Sequence, residues 1–150
     1  MKKEIIDLEE LKCVSHEAKR MENEEMYLKV IFILEEDGVK PVRSTDLAKV
    51  LKISLPSVVE MLGKMDKKGL VKYDGRKGIS FKPKGKKIAK KVIRNFRLAD
   101  LMLRDLLKMN DPTKYACRFE HVINDEIAEA LKKVLKNPKK CIHGKIIPKI

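Results

Sequence analysis

At 150 residues, 43% of them hydrophobic and 38% charged, the chain is long enough for one or two small domains with a heavily charged surface. The longest clean apolar stretch, Val30 to Leu34, is too short to span a bilayer, and Met1-Lys2-Lys3 runs into acidic residues without the apolar segment of a secretory signal. The net charge of +13 is concentrated, because residues 40–95 hold 17 Lys/Arg against 4 Asp/Glu and so carry a net +13 by themselves.

In chain order, a helix is predicted from about Glu24 to Asp37, with Tyr27, Ile31 and Leu34 on one apolar stripe and Gly38 ending it. Val39 to Val42, containing Pro41, reads as an extended linker. Ser44 can cap a second helix whose buried side is Leu47, Val50 and Leu51. After Lys52-Ile53, Ser54 offers another cap, with Pro56 tolerated in the first turn of a third helix. Val58, Leu62 and Met65 recur there at helical spacing, and Gly69 closes it. The opposite face shows Ser57, Glu60, Met61, Lys64 and Lys68. Leu70 to Asp74 and Ile79 to Lys82 read as short strands joined through Gly75-Arg76-Lys77-Gly78, a connection suited to a hairpin.

Helix, helix, helix, basic hairpin is the order of a winged helix-turn-helix. Its coincidence with the basic block predicts a duplex DNA partner read in the major groove. The expected contacts are Lys64, Arg76 and Lys77 to phosphates, the last two placed to reach a minor groove as well, and Ser57, Pro56 and Glu60 to base edges, with Arg43 and Ser54 also among the DNA-binding residues. A membrane surface is disfavoured, since the basic residues are interleaved with turn signals and do not line one amphipathic helix.

A long helix is predicted from Gly85 to about Leu107, with Ile88, Val92, Phe96, Ala99 and Leu103 on one stripe. Leu98, Leu101, Met102 and Leu106 widen the apolar surface, which suggests cover by a dimer partner. Asp111-Pro112 starts a further helix. Asn124-Asp125 starts a last one, through Leu135, stopped by Asn137-Pro138. The fold class is therefore mainly α with a small β-hairpin: an N-terminal winged helix-turn-helix followed by an all-α domain.

Cys117, Glu120 and His121 fall at i, i+3 and i+4, which aims thiolate, carboxylate and imidazole from one helix face, a set able to chelate a divalent transition metal. A buried cysteine beside a Glu-His pair is the plainer reading of the same residues. Cys13, Cys117 and Cys141 are odd in number and scattered, which argues for reduced thiols in a cytoplasmic compartment. Cys141 and His143 read as an ordinary turn or as part of a separate zinc site. A Cys-His enzyme is disfavoured, because neither an oxyanion donor nor an orienting third group is in view.

Over about Glu25 to Pro148 the sequence resembles the diphtheria toxin repressor family of metal-dependent regulators. The residues that carry this are Glu25-Met26-Tyr27-Leu28, Phe96-Arg97-Leu98-Ala99-Asp100, Ala116-Cys117-Arg118-Phe119-Glu120-His121-Val122 with Asp125-Glu126, and Cys141-Ile142-His143-Gly144 through Pro148. The resemblance implies a homodimeric transcriptional repressor that controls metal homeostasis and binds operator DNA when loaded with one divalent metal per subunit. Met26, Cys117, Glu120 and His121 would be the ligands. Fe(II) is the implied ion, with Mn, Co, Ni or Zn able to bind in vitro, because methionine and cysteine at these places look like the iron-responsive branch. The family's ancillary site does not carry over, since Phe96, Asp100 and Thr113 stand at its positions. The competing reading is a winged-helix regulator without metal dependence, or with a redox-sensing cysteine. The implied domains are an N-terminal extension over 1–22, a DNA-binding domain over 23–84, and a metal-binding and dimerisation domain over 85–150 without the SH3-like third domain of longer members. Ile5, Leu8, Leu11 and Cys13 leave the extension open to a charged helix, a dimer contact or a tail.

Overall fold

The computed structural model describes residues 8–20 and 22–150, without the side chains of Lys19 and Arg20. It divides into two compact units, Met1–Ala89 and Lys90–Ile150. Of the extension, Glu9–Leu11 forms a 3-10 turn and Val14–Arg20 forms helix α1, with Leu8, Leu11 and Cys13 buried; Ile5 lies outside the described residues.

In the N-terminal unit, α2 (Glu24–Glu36) starts at Asn23, whose side chain accepts the Met26 backbone N–H at 2.9 Å, and ends ahead of Gly38 at φ +90°. Helix α3 (Ser44–Leu51) is not capped by the Ser44 hydroxyl. Arg43 holds the cap position, and the Asp46 carboxylate returns to accept its N–H at 2.9 Å. The Asp46 carboxylate thereby satisfies the cap residue's own N–H, the return half of a capping box, and the helix starts one residue earlier than a Ser44 cap would place it. Ser54 does cap α4 (Leu55–Lys67), accepting the Ser57 N–H at 3.3 Å. Val58, Leu62 and Met65 are wholly buried on the inner face of α4. Helix α3 packs against α1, α2 and α4, and α4 packs on strand β1.

Strands β1 (Val71–Asp74) and β2 (Gly78–Phe81) pair antiparallel, with Asp74 opposite Gly78, so the tip is the three-residue Gly75-Arg76-Lys77. The Asp74 carboxylate closes the tip by accepting the N–H groups of Arg76 and Lys77 at 2.7 and 3.0 Å. The linker before α3 contributes to the wing: Ile79 N–H donates to Val42 O at 2.8 Å, a bridge that adds a third, one-residue edge to the hairpin. Gly78 sits at φ +93° where a Cβ would meet Pro41 and Val42 O at 2.8 Å, so only glycine fits between the wing and this linker.

Helix α5 (Pro83–Leu101) begins two residues before Gly85 and passes into a π-helical turn, Met102–Leu106. Within the N-terminal unit its Lys86 lies 3.6 Å from the Glu35 carboxylate and 4.8 Å from the ring centres of Phe32 and Phe81. Every residue from Val92 to Leu101 is buried. Of the broad apolar surface expected to need a dimer partner, the stretch through Leu101 is covered in the single chain, whereas Met102 is half-buried and Leu106 is exposed. The large apolar side chains left exposed beyond α5 are Leu106, Leu107, Tyr115, Phe119, Val122, Ile127, Val134, Ile146 and Ile150.

In the C-terminal unit, α6 (Thr113–Phe119) follows Pro112, and α7 (Asp125–Val134) is capped by Asn124, whose side chain accepts the Ile127 N–H at 2.8 Å. Buried Arg94 donates to Asp125 at 2.8 Å and Asn95 donates to Ile123 O at 2.9 Å, fastening the start of α7 to α5. Among the described residues no helix is long and apolar enough to cross a membrane.

Candidate functional site

The predicted DNA-contacting residues all lie on the surface of the N-terminal unit. Ser54, Pro56, Ser57, Glu60 and Lys64 are exposed on the first three turns of α4, and Arg76 and Lys77 are exposed at the wing tip. Their availability differs. The Ser54 hydroxyl caps α4 and also donates to Ser57 Oγ at 2.9 Å, and Glu60 pairs with Lys64 at 3.0 Å across one exposed turn. The exposed Arg43 guanidinium donates to the Arg76 carbonyl at 2.9 Å. Arg43 thus ties the wing tip to the start of α3, a bracing role the sequence did not indicate. Asp66 is a second brace. Its carboxylate accepts the Tyr73 N–H at 2.8 Å and pairs with Lys82 at 3.2 Å, joining α4 to β1 and to the residue that follows β2, and these contacts hold it below the ordinary aspartate range.

The metal-ligand candidates fall in both units. Met26 is buried in the first turn of α2 in the N-terminal unit. In the C-terminal unit, Cys117 is buried on α6, and Glu120 and His121 follow where the helix ends at Phe119. The Glu120 carboxylate, only 6% exposed, lies 3.7 Å from His121 Nε2, so two of the three predicted donors stand side by side. A carboxylate and an imidazole together with a soft sulfur form a donor set that suits a divalent transition ion. The expectation of three reduced thiols is corrected: Cys141 is free, whereas Cys117 is disulfide-bonded, as is Cys13. Cys117 can serve as a thiolate ligand only once reduced.

Residues that the sequence reading kept apart, Asp100 and Thr113 on one side and Cys141 and His143 on the other, come together in a second donor group. Thr113 donates to the wholly buried Asp100 carboxylate at 3.1 Å, and His143 Nδ1 lies 3.7 Å from the same carboxylate. The Cys141 thiol and a His143 ring nitrogen lie within 4.8 Å of one another. Both belong to a tight turn in which Gly144 N–H donates to Cys141 O at 3.0 Å, and Arg97, wholly buried, donates to Ile146 O at 2.5 Å just beyond it. The ordinary turn and the ligand pair are the same feature. The signals in sequence were the Cys-x-His spacing and, through the resemblance, the positions of Asp100 and Thr113; that the two sets converge, with Asp100 41 residues earlier than Cys141, has no local trace.

Residues 19–79 match the family described as iron dependent repressor, N-terminal DNA binding domain, and residues 82–149 match iron dependent repressor, metal binding and dimerisation domain. The chain belongs to the iron-dependent repressor family. It is 39% identical over 126 residues to the diphtheria toxin repressor of Corynebacterium diphtheriae, covering 83% of this chain and 55% of that protein. It is 36% identical to the iron-dependent repressor IdeR of Mycobacterium leprae, covering 83% and 54%. The chain therefore spans about half the length of the curated relatives it matches. Among solved structures, the manganese regulator SloR superposes with a TM-score of 0.74 at 33% identity, over 86% of this chain and 60% of that one. The family is one of transcriptional repressors, not enzymes. Relatives named for iron and for manganese both appear, so membership alone does not select the metal.

Proposed function

We propose that this protein is a homodimeric transcriptional repressor that binds operator DNA through α4 and the wing when loaded with Fe(II), and so controls metal homeostasis. The observation that carries the metal part is the buried Glu120 carboxylate beside His121, one turn after Cys117. These three residues would hold the ion. Met26 is added by the resemblance alone. A thiolate and a thioether are softer than the carboxylates that suit manganese, which favours iron, although the Irving–Williams order lets zinc, nickel and cobalt compete in vitro. Bound metal supplies cationic charge that fixes its ligands' geometry. It can favour the DNA-competent arrangement only by its differential affinity for that arrangement.

The DNA part is supported by the basic block lying on the winged helix, with Arg76 and Lys77 at the tip and Lys64 on α4. The dimer part is supported by the apolar side chains exposed on and after α6, chiefly Tyr115, Phe119 and Val122. Asp100, Cys141 and His143 have the chemistry for a second ion, so metal stoichiometry is measured along with affinity.

The deciding experiment titrates Co(II) into the reduced protein and follows binding to a duplex selected from a randomised pool. Cys117→Ala is expected to abolish metal-stimulated binding while leaving the circular dichroism spectrum unchanged. Undiminished metal dependence in that variant refutes the ligand assignment, and Met26→Leu tests the fourth ligand separately.

A further inference from the structure

The first turn of α2 carries Met26 and is held from three directions. The Asn23 side chain accepts the Met26 N–H at 2.9 Å. The phenol of Tyr27, wholly buried, donates to the Glu22 carboxylate just ahead of the helix. Glu24, the first residue of the helix, forms an ion pair with the Lys68 ammonium, 44 residues later in the chain. Lys68 is the residue on which α4 ends.

Helix dipoles give a plainer account of each partner taken singly, since an acidic residue suits the start of a helix and a lysine its end. That account does not bring the two together. Their pairing runs directly from the start of α2 to the end of α4, whereas both helices pack against α3. Asp66, in the last turn of α4, ties the same end to the wing. The orientation of α4 is therefore set at its C-terminal end, by Asp66 toward the hairpin and by Lys68 toward α2. Ser57 and Glu60 stand toward the other end of this 13-residue helix. Over a length of about 20 Å, a tilt of a few degrees at the anchored end moves them by on the order of 1 Å.

Helix ends fray unless their side chains are tied down. Holding Met26 in a ligand set also holds Glu24, which lies two residues earlier in the same turn. With Met26 unheld the turn is freer, and a pair whose lysine side chain is 59% exposed has little else to keep it formed. We infer that Glu24 and Lys68 are positioning residues that couple the metal-holding turn of α2 to the orientation of α4, so that part of the metal stimulation of DNA binding passes through this pair. This rests on the reading of Met26 as a ligand and of α4 as the DNA-reading helix.

The test measures duplex Kd by fluorescence anisotropy for the full reduced chain, with and without Co(II), on a duplex selected from a randomised pool. The ratio of the two values is the metal stimulation. Glu24→Gln and Lys68→Gln change the net charge in opposite directions, so a fall of the ratio in both is not an effect of bare charge. Each is expected to lower the ratio about two- to five-fold, the range an exposed ion pair commands. The double variant, whose net charge equals that of wild type, is expected to lose no more than either single variant. By linkage, the same loss is expected in the factor by which the duplex tightens Co(II) binding. The Co(II) absorption spectrum is expected to stay that of wild type, because no ligand is altered. Single variants that keep the wild-type ratio, or losses that add in the double variant, overturn this inference while metal-dependent DNA binding stands. A changed spectrum places the effect on the ligands instead of on α4 and overturns it too. A wild type whose duplex affinity does not respond to Co(II) overturns the metal-dependent reading itself.

Discussion

Two helical glycines in the same unit give opposite predictions from the same substitution. A Cβ built at Gly85 would lie 1.9 Å from Leu70 O, 2.7 Å from its carbonyl carbon and 3.1 Å from its Cα. All three are backbone atoms at the entry to β1, and the same carbonyl accepts the Lys82 N–H at 3.0 Å. Clearing the clash to ordinary contact requires a shift on the order of 1 Å between α5 and the hairpin, at the expense of that hydrogen bond. Overpacking of this kind costs about 1–3 kcal/mol, and a buried carbonyl left unsatisfied adds about 1–3 kcal/mol. Against this, alanine's helix propensity returns at most about 1 kcal/mol. The net expectation for Gly85→Ala is a loss of about 2–4 kcal/mol. Gly63→Ala meets no neighbour, keeps the propensity gain of about 1 kcal/mol, and should raise the melting temperature by about 4–8 °C for a unit of this size. Thermal melts of the full chain followed by circular dichroism, with wild type alongside, read both. If Gly85→Ala melts with or above wild type, the packing argument for α5 against Leu70 is wrong.

Further outcomes follow from the same geometry. The Asp66 carboxyl is held low first by the Tyr73 N–H and then by Lys82, so its stabilising effect is present above the unfolded aspartate value of about 3.9 and fades as pH falls through the lower folded value. Wild type should lose stability on acidification below about pH 4. Asp66→Asn should be less stable at neutral pH and show a shallower acid limb; parallel pH profiles would count against the brace. Arg76→Ala and Lys77→Ala should each flatten the slope of log affinity against log salt by about one unit, equally on selected and unselected duplexes. A change confined to the selected duplex would mean base readout. Phe119→Glu should shift the chain toward monomer in sedimentation; an unchanged dimer places the interface elsewhere.

Much of the site was legible because the signals were short-range. Asn124 and Ser54 cap the helices that follow them, Gly38 and Gly69 sit at positive φ where helices end, and Val58, Leu62 and Met65 turn inward as their spacing requires. A cap or a periodic stripe is decided within one or two turns, so residue type and spacing carry it. The same holds for the nearness of Glu120 and His121, which are chain neighbours. It also holds for the concentration of charge on one segment, which is a property of composition.

What only the tertiary structure decided concerns partners distant in the chain. Arg43 turns from the start of α3 to brace the Arg76 carbonyl, 33 residues on. Val42 joins the wing through Ile79, Leu70 and Gly85 meet backbone to backbone, and Asp100 draws in Thr113 and His143. The apolar girth of α5 did not tell a dimer seam from a core segment, because periodicity counts apolar faces without naming what covers them. Sequence alone determined which segments are helical to within a residue or two, which side of each is apolar and where the positive charge lies. The fold decided which carboxylate, carbonyl or thiol each polar side chain finds, because that choice depends on chain-distant groups brought together by burial.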